Sequence, residues 1–308
     1  DTYHHTLMTE PPETWEKMTW TPELEAGLLE YLESRWYGSQ DWIWFHDRPV
    51  ADLERIGQEV RADFSKPCVG LLTNVMWDAQ LHYPANAFPD MLEWVVRTIE
   101  WFAGRPDLQL IIRVHPAELR GTLVSRQPLV AEIQRRFPAL PSNVFVIGPE
   151  SQVSTYAVMS RCNAVLIYGT KTGVELASIG IPVIVAGEAW IRNKGLTLDA
   201  ESAADYFELL ERLPLPVAMS EEQVQRARRY AFHFFFRRMI PLEFMLPSKE
   251  DVPYRVSLRS FRELAPGRSR GLDVICDGIL QNLPFTFPAE VVAVAGADSA
   301  RVLAAAPR

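Results

Sequence analysis

Short, largely apolar runs alternate with amphipathic stretches through the middle of this chain. The runs are Pro67–Leu72, Leu108–Val114, Asn143–Ile147, Ala164–Tyr168 and Pro182–Ala186. Runs of this kind, apolar on both faces, predict buried parallel strands. Between them, Asp90–Ala103 places Leu92, Val95, Val96, Ile99 and Phe102 at helical spacing. Leu129–Arg136, Val153–Arg161, Val174–Ile179 and Ser202–Arg212 predict further helices. Gly180 suits a left-handed helix end and Pro182 blocks continuation. Strands alternating with helices predict an α/β fold with a doubly wound parallel Rossmann-like sheet.

The flanks read differently. Residues 1–20 predict an extended or poorly ordered lead. Thr21 and Pro22 predict a helix start, with Leu24, Leu28, Leu29 and Leu32 on one face. Trp36, Tyr37, Trp42, Trp44 and Phe45 form an aromatic patch that suits either packing or stacking on a sugar. Ala51–Phe64 predicts a second helix through Leu53, Ile56, Val60 and Phe64. Ser220-Glu221-Glu222-Gln223 is a capping box for a helix to about Met239. Residues 241–270 read as loops, Gly271–Leu280 as a short helix, and 289–308 as a disordered tail. The expected organisation is 1–64, 65–217, 218–288 and 289–308.

The totals narrow the classes. The 308 residues suit about two domains. A net charge of −8 argues against phosphate-driven nucleic-acid binding, so no nucleic-acid partner is expected. Cys68, Cys162 and Cys276 are too scattered for a disulfide framework or zinc site and predict a reducing compartment. No run of about 18 apolar residues predicts a membrane span. No signal peptide is read, and a chain opening on Asp1 is expected to be a piece of a longer protein.

Ligands of open α/β sheets sit outside the carboxyl ends of the strands. The first strand delivers Thr73, Asn74 and Asp78 there; the second, Arg113, His115 and Glu118; the third, Glu150 and Ser151. The fourth delivers Gly169, Thr170, Lys171, Thr172 and Glu175, and the fifth Glu188, Arg192 and Lys194. Hydroxyls, cations, a histidine and backbone donors together point to anion recognition, with a carboxylate for sugar hydroxyls. Plainer readings stand beside these. Thr172 and Glu175 have capping-box spacing, Arg113 and Lys171 suit solvated positions, and His115 before Pro116 suits a structural strand end. No H-x-x-x-H, D-x-D, Walker loop, G-x-S-x-G or G-x-G-x-x-G motif occurs, so neither a bound metal nor a cofactor is expected.

The pattern Gly173-x-Glu175 followed by Gly180-Ile181-Pro182-Val183-Ile184 resembles the donor half of GT-B glycosyltransferases. With Leu71–Ala79, Phe88–Trp94, Ile111–Glu118, Gly169–Gly187 and Lys194–Ala200, the chain over about 20–285 resembles the capsule polysaccharide biosynthesis family. That family includes bacterial surface-glycan transferases, among them Kdo transferases. The resemblance implies a GT-B donor domain at 65–217, with 1–64 a linker or remnant of an acceptor domain. It implies a metal-independent transferase passing a sugar from a nucleotide-sugar co-substrate to a glycan or lipid-linked acceptor. A cytoplasmic place follows, at the inner face of a membrane with peripheral association.

His115 would contact donor phosphate or sugar as the catalytic group. Thr170, Lys171 and Thr172 would hold phosphate beside Gly169, and Glu175 would accept ribose hydroxyls. Thr73, Asn74, Arg113 and Glu150 would border the donor. An acceptor domain of ordinary size does not fit into the residues before the first strand, so that half is expected elsewhere, and the catalytic base with it. A nucleotide-sugar epimerase or polyol-phosphate transferase on the same architecture is the alternative, or a non-catalytic binding or assembly module.

Overall fold

The computed structural model describes residues 7–36, 50–78, 83–120, 125–216, 218–248 and 254–291. In chain order its first elements are α1 (Glu13–Glu16), α2 (Pro22–Trp36), α3 (Leu53–Val60), β1 (Cys68–Leu72), α4 (Met91–Ala103) and β2 (Gln109–Arg113). Next come α5 (Ala117–Arg120), α6 (Leu129–Arg136), β3 (Val144–Ile147), α7 (Thr155–Met159), β4 (Ala164–Ile167), α8 (Thr172–Ser178) and β5 (Val183–Val185). The last are β6 (Leu198–Asp199), α9 (Ala203–Glu211), α10 (Glu221–Phe232), β7 (Met245–Pro247), β8 (Tyr254–Val256) and α11 (Arg270–Gln281). The chain divides into two compact units, Asp1–Pro12 with Phe45–Ala227, and Glu13–Trp44 with Arg228–Arg308.

The first unit is an α/β Rossmann-like fold. Its sheet runs β3-β2-β1-β4-β5-β6, and every pairing is parallel. β1, β2 and β4 are buried at every position, β1 and β4 as their apolar composition requires and β2 with Gln109 and Arg113 at its ends. Burying each Leu or Ile here contributes roughly 1.5–3 kcal/mol. Helix α4 lays Leu92, Trp94, Val95, Ile99 and Phe102 on one side of the sheet, with Asp90 capping the Glu93 N–H. Tyr168 reaches across to donate to the Phe88 carbonyl at 2.9 Å.

Two glycines have backbone reasons. Gly180 takes φ +86° just beyond α8, and the Ile181 N–H bonds back to the Leu176 carbonyl, closing the helix as the sequence predicts. A Cβ on Gly187 would stand 2.4 Å from the Tyr168 carbonyl oxygen, so the ends of β4 and β5 approach only because that residue has no side chain.

In the second unit, α2 begins at Pro22, with the Leu24 N–H on the Thr21 hydroxyl, and buries Leu24, Leu28, Tyr31 and Leu32. Tyr31 packs against Phe235 and Phe236 at 5.3 and 5.1 Å between ring centroids. The expected helix to Met239 is α-helical only to Phe232 and continues as a π-helix over His233–Arg238. His233 to Phe236 are buried there, continuing a run of buried residues that begins at Tyr230.

Other expectations need correction. The lead is ordered where described: α1 buries Trp15, which packs edge-on to Tyr230 at 5.3 Å. The second helix stops at Val60 because Arg61 turns left-handed, φ +63°. The loop-rich stretch contains the antiparallel β7–β8 hairpin and a 3-10 turn at Phe261–Leu264. Ala289 and Glu290 are buried, with Glu290 3.2 Å from the Arg237 guanidinium. The aromatic positions Tyr37, Trp42, Trp44 and Phe45, and residues 292–308, lie outside the described residues.

Candidate functional site

Sheet order places the crossover between the two halves of the sheet at β1 and β4. There the connections leave in opposite directions and open a crevice at the carboxyl ends. The residues after β1 tie this edge together on both sides. Thr73 accepts from the His115 N–H at 3.1 Å, while its own N–H donates to the Arg113 carbonyl at 3.3 Å. Asn74 accepts the Gly169 N–H on Oδ1 at 3.2 Å. Thus the ends of β2, β1 and β4 form one hydrogen-bonded rim. The Asn74 amide, fixed by that acceptor, carries its donors on Nδ2.

His115 stands on this rim. Its Nδ1 accepts from the Ala117 N–H at 3.1 Å, which assigns the proton of the neutral ring to Nε2. Burial lowers its pKa to about 4, the Arg113 and Lys171 charges push the same way, and Asp78 opposes them. The imidazole is therefore neutral at pH 7 and offers an Nε2–H donor. A depressed histidine also shapes stability. The unfolded state binds the proton more readily between about pH 4 and 6.5, so stability falls as pH drops through that window. We expect His115→Asn, which keeps an acceptor for Ala117, to recover up to about 3 kcal/mol at pH 4 relative to its effect at pH 7. Denaturant titrations of both proteins at pH 4, 5.5 and 7 measure this; parallel pH profiles would remove the account.

The β4–α8 loop brings the hydroxyls and the ammonium. The Thr172 N–H donates to the Thr170 hydroxyl at 3.3 Å, and the two hydroxyls lie 3.2 Å apart. Thr170, Lys171 and Thr172 are all half-buried. Lys171 is the residue that caps α8, without a side-chain cap. Thr172 therefore lies inside the helix, and the capping-box reading of Thr172 and Glu175 does not hold. Glu175 is 0% exposed, and its carboxylate accepts the Tyr156 hydroxyl from α7.

Several charged candidates are turned inward. The buried Arg113 guanidinium donates to the Gly148 and Ser151 carbonyls and to the Thr155 hydroxyl, so the solvated reading fails and the side chain clamps the β3–α7 loop. Arg192 donates to the Gly187 and Ala200 carbonyls. Lys194, 0% exposed, donates to the carbonyls of Leu7, Met8 and Glu10. Glu118 accepts the Leu129 N–H at the start of α6, and burial raises its pKa. Glu188 accepts the Ala85 N–H at 2.8 Å. Glu150 is exposed, folded back over Gly148, and among the described residues no hydrogen bond joins it to the rim. Tyr156 was not singled out by the sequence pattern, which absorbed it into the middle of a helix beginning at Val153. Among the described residues no group of three His, Cys, Asp or Glu side chains is arranged to hold a metal ion, and no helix is long and apolar enough to cross a membrane.

No protein-family model and no curated protein matches the chain. Solved structures do overlap it. The KpsC β-Kdo 2,4 transferase of Thermosulfurimonas dismutans is 16% identical with a TM-score of 0.46, over 74% of this chain and 62% of that one. The KpsC β-Kdo 2,7 transferase of the same organism is 16% identical with a TM-score of 0.41, over 82% and 65%. A UDP-GlcNAc 2-epimerase from Neisseria meningitidis, bound to UDP-GlcNAc, is 15% identical with a TM-score of 0.40, over 84% and 53%. The chain thus spans less than two thirds of each of these proteins. With TM-scores under 0.5, none of the overlaps carries a functional conclusion.

Proposed function

We propose that the rim formed by β2, β1 and β4 binds the phosphate and sugar of a nucleotide-sugar donor, and that the chain is the donor-binding part of a glycosyltransferase. The observation that carries this reading is the convergence at the β1/β4 crossover of a neutral Nε2–H donor, an ammonium and two hydroxyls. Cleaving a glycosyl–phosphate bond leaves negative charge on the phosphate. Fixed donors beside that charge stabilise it without reorganising. In this reading His115 donates from Nε2 to phosphate or sugar, Lys171 supplies the countercharge, and Thr170, Thr172, Gly169 and the Asn74 amide complete the cradle. Glu175 accepts ribose hydroxyls. Thr73 and Arg113 hold the rim and the neighbouring loop in shape, and Glu150 borders the site from β3. The transfer is proposed as metal-independent, with a surface or capsular glycan or a lipid-linked sugar as acceptor. The acceptor half and its base are proposed to be supplied elsewhere, with the protein at the inner face of the membrane.

Thermal unfolding with CMP-, UDP-, GDP- and CDP-linked sugars tests the reading. One of them at about a hundredfold over its Kd should add about 2.7 kcal/mol of stability, a rise of several degrees in Tm. Lys171→Ala should abolish most of that rise. Failure of every nucleotide to shift Tm sinks the proposal.

A further inference from the structure

From Tyr254 to Arg270 the second unit carries Arg255, Arg259, Arg262, Arg268 and Arg270 against a single acidic residue, Glu263, in a chain whose net charge is −8. All five arginines are exposed, and among the described residues none of their guanidinium groups makes a hydrogen bond or an ion pair. Arg228 and Arg237 of the same unit are instead paired with Glu25 and Glu290. The backbone that carries the five is braced throughout. β7 pairs with β8, and the Ser257 N–H extends the hairpin to the Phe244 carbonyl at 2.8 Å. Glu263 accepts the Arg259 and Ser260 N–H groups at 3.1 and 3.2 Å, and Ser260 caps the 3-10 turn. Asp273 accepts the Gly267 N–H at 3.0 Å, and Glu243 accepts the Ser269 hydroxyl at 2.6 Å. On this rigid support Phe261, between Arg259 and Arg262 in sequence, is 87% exposed, and Val256 at the end of β8 is 62% exposed.

We infer that this segment is a contact surface for an anionic lipid bilayer, with Arg259 and Arg262 on headgroup phosphates and the Phe261 ring in the interface. Each basic side chain beside an anionic leaflet contributes roughly fivefold in affinity. Charge alone holds a protein loosely, and an apolar anchor supplies the second contact that stable membrane binding requires. A soluble polyanion needs the arginines but not the ring, so the exposed Phe261 favours the bilayer. Arg262 and Arg268 also line one groove with Ser257, beside the already engaged Glu243 and Glu263. Two guanidinium groups on one groove suit a phosphate. The inference goes beyond the donor-site reading and does not depend on it; it gives the membrane placement proposed above a surface.

Co-sedimentation of the full chain with phosphatidylcholine vesicles, with and without about one third phosphatidylglycerol, tests this in the absence of any nucleotide. At about 0.1 M salt the chain should partition onto the anionic vesicles only, and about 0.5 M salt should release most of it. Arg259→Gln combined with Arg262→Gln should weaken partitioning by about tenfold to thirtyfold. Lysine at both positions keeps the charge and should bind within about threefold of the wild type. Phe261→Ala should cost about tenfold. These side chains are exposed, so Tm should stay unchanged in every variant. No binding to anionic vesicles, equal binding to neutral ones, or a glutamine variant that binds as the wild type overturns the inference. A loss in the glutamine variant with Phe261→Ala unaffected would make the segment a surface for a soluble polyanion and would equally overturn the bilayer contact. Because no nucleotide is present, failure here leaves the donor-site proposal standing, and failure of every nucleotide to bind leaves this inference standing.

Discussion

On the proposed donor-site reading, glycosyl transfer should fall by about a hundredfold or more when His115 is replaced by alanine, the scale of losing one fixed donor at a developing oxyanion. The two ring nitrogens allow a sharper version. Nδ1 is engaged by the Ala117 N–H, so a structural role for the residue lies there, and the proposed ligand contact lies at Nε2. Asparagine can replace the first function and glutamine the second. His115→Gln should therefore retain more turnover than His115→Asn, while His115→Asn should retain more stability. Steady-state kcat and Tm for the three variants separate the roles. If turnover follows Tm across the series, His115 is a strand-end brace and not a ligand contact.

The second large effect concerns stability. Arg113→Met should cost about 3 kcal/mol or more, because it strips a donor from the Gly148 and Ser151 carbonyls at a site with little access to water. Arg113→Lys should recover only part of the loss, since an ammonium cannot reproduce a guanidinium fork reaching three acceptors. Denaturant midpoints for the two variants measure the difference. A methionine variant as stable as the wild type would show that the clamp is dispensable.

These two residues also show which parts of the chain were legible. Alternation of apolar runs with helical stretches was enough to predict the parallel sheet, because strands buried on both faces are mostly apolar. The same argument, carried one step further, locates Arg113. It is the last residue of a central strand that is buried throughout, so its charge had to be met inside the protein. Reading it as an anion contact treated the strand end as already outside. Arg192 and Lys194 failed in the same direction. Their acceptors are backbone carbonyls, which no residue pattern advertises.

The Thr172/Glu175 spacing was open between cap and ligand. A helix beginning at Thr172, with Lys171 as its cap residue, closes the first option. What Glu175 meets instead, Tyr156, depends on how α7 and α8 pack, which is tertiary information. The two-residue strand β6 and the π-helix at His233–Arg238 were likewise invisible. The first is too short to leave a period, and the second departs from the 3.6-residue period that the pattern assumes.

Lys194 gives the chain an internal clock. Its ammonium is enclosed by carbonyls from residues 7 to 10, so a reagent that acylates amines reaches it only when that segment lifts away. When lifting and closing are fast, the labelling rate is the rate of the open amine scaled by the open fraction. A single mass-spectrometric peak can thus follow how often the segment from Leu7 to Glu10 lets go.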